Sequence, residues 1–188
     1  MIEYLASQNP ISQDAIEFLY NNGRVISFKK GEIFAERAKA NQHCGLLLTG
    51  LAGYKVKARQ KDLMLEKVIS PYFCFLGNKN LYSQRGPRAQ IEFLASSDAY
   101  IISNQKLIQA IEHSQEISSI FHHFKHKHLE LGIKMMTARK LQLEDRISYL
   151  YKCYPELKGK LSIEQISSLL SLNSRRQYER SLRSYLNL

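Results

Sequence analysis

Three arginines near the C-terminal end of the chain are the side chains best suited to specific chemistry. Arg175, Arg176 and Arg180 lie within one short segment, and Arg176 and Arg180 are four residues apart. Residues four apart on a helix share a face, so these two side chains can contact the same partner. Arginine binds guanine edges and phosphates with a bidentate pair of hydrogen bonds. The spacing therefore favours a helix that contacts DNA in the major groove.

The residues around these arginines predict two short helices joined by a tight turn. Ser174 is placed to cap the second helix and to contact a phosphate, and Gln177 is a secondary candidate for base contact. Ser162 is placed to cap the first helix, Ile163–Leu170, which has an apolar face. The apolar face of the second helix is predicted to consist of Tyr178, Leu182, Tyr185 and Leu186.

Positive charge is concentrated in the same part of the chain. The 188 residues carry a formal net charge of +10, and residues 121–188 contain 13 Lys and Arg against 6 Asp and Glu. A localised basic excess favours a polyanionic partner, most often nucleic acid.

Composition and missing motifs argue against other functions. No run approaches the ~20 apolar residues that span a bilayer, and the N-terminus lacks the features of a signal peptide, so we expect a cytoplasmic protein. The three cysteines are far apart and form no Cys-x-x-Cys, which argues against a zinc site or a disulfide framework. No phosphate-binding glycine loop, nucleophile elbow or His-Glu-x-x-His is present, so we do not expect an enzyme.

Most of the N-terminal half is predicted to be β structure. A short helix before Gly23 is followed, from Val25 to Ile102, by eight short apolar segments separated by turns. This texture is typical of a small β-barrel or jelly roll. Helix is predicted again from about Gln105.

A long helix, Gln115–Lys140 with Ser114 as its cap, is predicted next. Apolar residues recur along it in alternate steps of four and three, the spacing of a helix that packs along another helix. We therefore predict a homodimer through this seam; the alternative is that the helix packs on its own barrel. The predicted dimer seam consists of Ile117, Phe121, Phe124, His128, Leu131 and Met135.

Histidines are unusually dense on this helix. His122 and His126 are four residues apart, a spacing that can share a metal ion. No nearby carboxylate or cysteine completes a ligand set within the helix, so we expect no metal and treat these as surface histidines.

The order of a β-roll, a long helix and a helix-turn-helix resembles the Crp/Fnr family of bacterial transcription regulators. Phe28–Glu32 is similar to the family's early Lys-Lys-Gly-Glu turn, and Leu46–Gly50 is similar to its apolar strand that ends in glycine. Tyr154–Leu157 resembles a variant found in Bacteroidetes members. Ser174-Arg175, with Arg180 five residues after Arg175, is similar to the family's recognition helix. The resemblance covers nearly the full chain.

The resemblance implies an α+β fold with three parts. Residues 1–113 would form a cyclic nucleotide-binding-like jelly-roll sensor domain, also described as a double-stranded β-helix. Residues 114–140 would form the dimerisation helix, and residues 141–188 an all-α helix-turn-helix domain. The implied partners are double-stranded DNA, a second copy of the chain and RNA polymerase, with no membrane.

Two departures from the family pattern concern the DNA-binding end. The turn of the helix-turn-helix lacks the family's glycine, and we expect Asn173 to adopt the left-handed conformation in its place. The sequence ends at Leu188, where the family's β-wing would follow, so we expect fewer backbone contacts and weaker DNA binding.

A third departure concerns the sensor site. Relatives hold a cyclic nucleotide with a Gly-Glu pair and, eleven residues after that glycine, an arginine followed by Ser or Thr. Gly77 and Arg88 keep that spacing, whereas Asn78 and Ala89 replace the carboxylate and the hydroxyl. We expect no cofactor and no response to cAMP or cGMP; the site binds another ligand, or none, and the sequence identifies no effector.

The sequence therefore predicts a homodimeric DNA-binding transcription regulator. The alternative is a ligand-binding or protein-interaction module whose degenerate helix-turn-helix does not bind DNA.

Overall fold

A computed structural model of the chain describes residues 1–8, 10–57 and 63–187, except for the side chain at position 8. These residues form seven α-helices, two 3₁₀ turns and eight strands. The helices are α1 Ile2–Gln8, α2 Gln13–Asn22, α3 Asn104–His113, α4 Gln115–Lys140, α5 Arg146–Cys153, α6 Ile163–Leu170 and α7 Arg175–Leu186. The 3₁₀ turns are Leu143–Asp145 and Pro155–Leu157. The strands are β1 Gly23–Phe28, β2 Ile33–Ala35, β3 His43–Leu47, β4 Ala52–Lys57, β5 Leu63–Ile69, β6 Cys74–Leu76, β7 Gln90–Phe93 and β8 Ser97–Ser103.

All eight predicted strands are present, with ends that shift by a few residues. One sheet has the order β1-β8-β3-β6 and the other has the order β2-β7-β4-β5. The β1–β8, β3–β8 and β3–β6 pairs are all antiparallel. Short strands separated by turns therefore produce the predicted jelly roll, and the fold is α+β as predicted.

Aromatic rings fill the space between the two sheets. Phe28 and Phe75 come from the first sheet, whereas Phe34 and Phe93 come from the second. The rings of Phe28 and Phe93 stack with centroids 4.1 Å apart, and Phe34 meets Phe75 edge to face at 4.7 Å. Phe75 and Phe93 are fully buried. This region is therefore a packed hydrophobic core.

The opposite face of the first sheet is covered by helices. A hydrophobic cluster on this face joins strand residues to α1, α2 and α4. The buried members are Leu5, Leu19, Cys44, Leu46, Tyr100, Ile102, Ile120 and Phe124. The sequence analysis did not predict α1, which supplies Leu5 to this cluster.

Serine side chains cap the starts of α2, α3 and α4. Ser12 accepts from the Ala15 N–H at the start of α2, and Ser103 accepts from the Lys106 N–H at the start of α3. Ser114 Oγ accepts from the Ile117 N–H at 3.3 Å, which confirms it as the cap of α4. Glu116, in the first turn of α4, accepts hydrogen bonds from the Ser12 N–H and hydroxyl at 2.7 and 2.8 Å.

The described residues form two compact units. The first comprises Met1–Tyr54 and Ile69–His128, and the second comprises Lys55–Val68 and the chain from Leu129 onward. The continuous helix α4 therefore contributes to both units. No helix among the described residues is long and apolar enough to cross a membrane.

Within the second unit, the edge strand β5 is covered by side chains from the helices. The Leu65 N–H donates to Ser168 Oγ of α6 at 2.6 Å. Arg139 of α4 donates to the carbonyls of Glu66 and Leu169. Backbone groups at this edge of the second sheet are thus satisfied by side chains of the same unit.

Candidate nucleic-acid interface

The start of α7 is fixed by two hydrogen bonds. Ser174 is confirmed as the cap, since its Oγ accepts from the Gln177 N–H at 3.3 Å. The Asn173 N–H donates to Gln177 Oε1 at 2.7 Å. Together they satisfy two backbone donors at the N-terminus, an arrangement similar to a capping box. Gln177, predicted to contact bases, thus uses its side-chain oxygen within the chain.

Four arginines occupy the exposed side of α7. Arg175 Nε lies 3.0 Å from Glu179 Oε1, and Arg180 forms an ion pair with Glu144. Arg176 and Arg183 are exposed and have no ion-pair partner among the described residues. The four arginines thus differ in availability, and Arg176 is the best placed of the predicted contacts for a bidentate bond to a base or phosphate.

Helix α6, the first helix of the predicted helix-turn-helix, begins at the cap that the sequence predicts. Ser162 and Gln165 form a reciprocal capping box at the start of α6. Ile166, Leu169 and Leu170 of α6 are buried, as an amphipathic first helix requires.

The turn between the two helices differs from the prediction. Ser171, not Asn173, has the left-handed conformation, with φ +54°. The guanidinium of Arg146 stabilises this turn, because it donates to the carbonyls of Leu170 and Ser171 at 3.0 and 3.2 Å. A distant arginine thus satisfies carbonyls that helix ends leave free.

The inner side of α7 packs on α5. Tyr178 and Ser181 are buried, and Ser181 Oγ accepts from the Ile147 N–H at 3.2 Å. The rings of Tyr151 and Tyr185 meet with centroids 5.3 Å apart. The prediction that Leu186 faces inward was wrong, because half of that side chain is exposed in the last turn. The sequence analysis missed Ser181 as a buried polar residue.

The four predicted effector residues have different environments. Asn78 is buried, and its amide binds within the chain: Oδ1 accepts from the Asn41 N–H at 3.0 Å, and Nδ2 donates to the Ser83 carbonyl at 2.6 Å. A Cβ on Gly77 would lie 2.3 Å from the Asn41 carbonyl oxygen, so the backbone approaches closely there. Arg88 is exposed and Ala89 is buried. The replacement of the family's glutamate by Asn78 thus provides a structural amide.

The predicted dimer seam on α4 needs a correction. Ile117 and Phe124 are buried in the first unit, and Leu131 and Met135 are buried in the second. Phe121 and His128 are half-buried, and the His128 ring lies edge to face with Phe73 at 5.8 Å. Residues buried within one chain cannot also cover a second copy. The periodic face therefore packs on the chain itself, which was the alternative interpretation.

Another face of α4 carries the exposed apolar side chains. Leu129, Ile133 and Met136 are 61%, 54% and 55% exposed. They follow the same alternation of four and three, and His122 and His126 continue it toward the N-terminus. We call Leu129, Ile133 and Met136 the outer stripe. Both histidines are exposed, and among the described residues no group of three or more metal-ligating side chains lies together.

A jelly roll, a long helix and a helix-turn-helix in this order define the fold of the Crp/Fnr transcription regulators, and the chain has that fold. FixK2 from Bradyrhizobium japonicum matches with a TM-score of 0.72 and 13% identity, over 88% of this chain and 85% of that one. TTHB099, a CRP-family transcriptional regulator from Thermus thermophilus, matches with a TM-score of 0.71 and 13% identity, over 86% and 84%.

A third solved structure extends the match along the chain. The c-di-GMP responsive global regulator CLP from Xanthomonas campestris matches with a TM-score of 0.65 and 12% identity, over 94% of this chain and 92% of that one. The sequence matches no family model and no curated protein. At these identities the likeness concerns the fold.

Proposed function

We propose that the chain is a homodimeric, sequence-specific DNA-binding transcription regulator of the Crp/Fnr type. The observation that carries this proposal is the capped helix α7, whose exposed side holds four arginines. The basic excess of residues 121–188 supports it, because nucleic-acid binding begins with neutralisation of phosphates. In this proposal residues 1–113 are the sensor domain, 114–140 the dimerisation helix and 141–188 the DNA-binding domain, in a cytoplasmic protein.

The exposed side of α7 suggests how DNA would be bound. Arg176, free of an ion pair within the described chain, is the first candidate for a guanine edge. Arg175 and Arg180 would exchange their glutamate partners for phosphates or bases, and Ser174 would contact a phosphate at the helix N-terminus. Two-fold symmetry then predicts a palindromic operator with half-sites about 34 Å apart.

The outer stripe is the surface we propose for dimerisation. Three large apolar side chains on one exposed helix face are the arrangement that two parallel helices bury against each other. The proposed interface therefore moves from the predicted seam to Leu129, Ile133 and Met136. Replacing Ile133 with glutamate would place two like charges in it, and the mass in solution should fall from dimer to monomer. Exposed Gln105→Glu, on α3, adds the same charge outside α4; it is the control and should stay dimeric.

The interior of the roll supports a regulator that does not respond to cAMP. Phe28, Phe34, Phe75 and Phe93 pack between the sheets, and the Asn78 amide is engaged within the chain. A ribose acceptor is missing at position 78, and a hydroxyl donor is missing at position 89. The proposed regulator therefore responds to a different molecule or to none.

One observation favours the alternative, a ligand-binding or protein-interaction module that does not bind DNA. Glu179 and Glu144 each hold one arginine of α7, which lowers the positive potential of that surface. Exposed ion pairs are weak, however, and phosphates can compete for both arginines. The basic excess of the last third of the chain is the reason that DNA binding is preferred.

The decisive experiment is selection of a random DNA library by the purified chain at about physiological salt, with and without cAMP. Enrichment of a palindrome in both arms is the expected result. Enrichment only with cAMP would overturn the assignment of the sensor domain. Salt-sensitive binding without sequence preference, or no binding, would favour the alternative module.

A further inference from the structure

An apolar cavity lies on the outer face of the first sheet. Its volume is about 80 Å³, and its walls come from strands β3, β6 and β8 and from helices α1, α2, α3 and α4. Leu5, Leu46 and Ile102 are among the buried residues that line it. This cavity faces the helices and is therefore separate from the aromatic core between the two sheets.

The walls of the cavity offer almost nothing to a polar ligand. The hydroxyl of Tyr100 already donates to the Leu19 carbonyl at 2.6 Å. The Cys44 thiol is buried, and burial, with a smaller contribution from nearby Cys74, raises its pKa to about 12. That thiol therefore stays uncharged at neutral pH. Within the described part of the chain, no charged side chain lines the cavity. Such walls offer water almost no hydrogen bonds and favour an apolar guest.

Helix α1 closes one side of the cavity, which is lined there by Leu5 of α1 and by Met1 just before it. The Tyr4 ring stacks on Tyr72 with centroids 4.0 Å apart. Lys127 Nζ donates to the Tyr4 hydroxyl and to the Tyr72 carbonyl, both at 2.9 Å. The Tyr4 ring also faces Phe124 of α4, with centroids 6.3 Å apart. Side chains from the roll and α4 thus hold α1 in place, through two aromatic contacts of Tyr4 and one lysine.

The backbone of the anchoring tyrosine is unusual. Tyr72 has φ +66°, in the left-handed region that a residue with a side chain rarely adopts. Its N–H donates to the Leu47 carbonyl at 2.7 Å, which fixes this conformation against β3. Strained backbone of this kind is found at ligand clamps and switch regions.

We propose that this cavity binds a small uncharged apolar molecule and that α1 is its lid. The proposal goes beyond the proposed function and does not depend on DNA binding. A cavity of about 150 Å³ admits benzene or xenon. At roughly half that volume, the cavity here suits a guest of xenon's size, and a larger guest requires movement of α1. Ile120 and Phe124 of α4 line the cavity, so a guest contacts the helix that continues to Lys140.

Xenon binding to the full chain tests the cavity, with backbone and methyl NMR shifts as the readout. The wild type should show saturable shifts confined to the lining residues. Leu76→Phe, which fills the cavity from β6, should remove them. Leu48→Phe is the matched control, since Leu48 packs on the same cluster without lining the cavity. Absence of shifts in the wild type, or equal shifts in a folded Leu76→Phe variant, would overturn the proposal.

Thiol labelling tests the lid in the same chain. The chain is treated with a neutral apolar thiol reagent. Peptide mass spectrometry gives separate labelling rates for Cys74, in the cavity wall, and Cys153, in the second unit. Tyr4→Ala should speed Cys74 labelling by at least roughly 2- to 10-fold, the effect of losing one of its two aromatic contacts, and leave Cys153 labelling unchanged. Saturating xenon should slow labelling of Cys74 alone in the wild type. Tyr20→Ala, at an exposed tyrosine of α2, is the control; equal rates in Tyr4→Ala and the wild type would exclude the lid.

Discussion

The interior of the roll and the exposed side of α7 use their functional side chains in opposite ways. Inside the roll, aromatic rings fill the space, and in the segment after β6 the Asn78 amide is satisfied by neighbouring backbone and side-chain groups. On α7, Arg176 and Arg183 are exposed without an ion-pair partner in the described chain. Polar groups that are already bonded have little left for a ligand, whereas exposed cations retain their capacity to bind. The comparison places the capacity for a polar partner on α7.

The largest expected effect is a loss of stability in the packed core of the roll. Phe93→Ala should lower the free energy of unfolding by about 3–5 kcal/mol, because a fully buried ring is removed from a packed core. Urea denaturation measures this loss, and Tyr82→Ala, at an exposed tyrosine, should cost far less. A small loss for Phe93→Ala, accompanied by new nucleotide binding, would mean that this space is a ligand pocket.

The next test concerns the proposed DNA contact. Arg176→Ala should weaken binding to a selected operator by about 1–3 kcal/mol, or roughly 5- to 150-fold, if the guanidinium contacts a base edge. Fluorescence anisotropy with operator and scrambled duplexes measures both affinities. Lys160→Ala removes the same charge from an exposed site before α6 and should change little. Equal losses on both duplexes would make Arg176 a phosphate contact.

Asn78, in the segment after β6, provides a third test. Asn78→Ala should cost about 1–3 kcal/mol of unfolding free energy, because buried partners such as the Asn41 N–H lose their hydrogen bonds. Lys79→Ala, at the next residue and exposed, is the control in the same denaturation experiment. An unchanged stability would show that the amide is not structural and would reopen this position as a ligand contact.

The smallest expected effect is a change in how the stability of the fold depends on pH below neutrality. Hydrogen bonds from the Ser12 backbone and hydroxyl lower the pKa of Glu116 below its ordinary range. A carboxylate with a lowered pKa stabilises the fold above its ordinary pKa of about 4.3, and this contribution is lost as pH falls through the folded value. Unfolding measured from pH 6 to about pH 3 should therefore be less pH-dependent in Glu116→Gln. An identical slope in the wild type and in Glu116→Gln would contradict the proposed linkage.

Local patterns predicted much of the fold. The eight strands followed from short apolar segments between turns, and the bounds of α4 followed from Ser114 and the apolar repeat. Ser162 and Ser174 were predicted as caps because capping depends on residues three positions apart. Helix α1 was missed, since its seven residues show little periodicity and its stability depends on tertiary contacts such as that of Tyr4 with Tyr72.

The features that the sequence did not predict depend on contacts between residues far apart in the chain. The repeat on α4 showed an apolar face without showing what covers it, and the helix has two such faces. One face, with Leu131 and Met135, is buried within the chain, and the outer stripe is exposed. The Arg180–Glu144 pair and the Arg146 contacts to the turn join residues far apart in sequence. No local pattern specifies such pairs.

The bonds from α6 and α4 to β5 have a consequence for solubility. An uncovered edge strand can pair with the edge of another molecule and begin aggregation. Here the Leu65 N–H is taken by Ser168, and the Glu66 carbonyl is taken by Arg139. Leu63 and Met64, next to these groups, are exposed apolar residues that would favour such pairing. The side chains that join β5 to the helices thus also protect the protein from association through this edge.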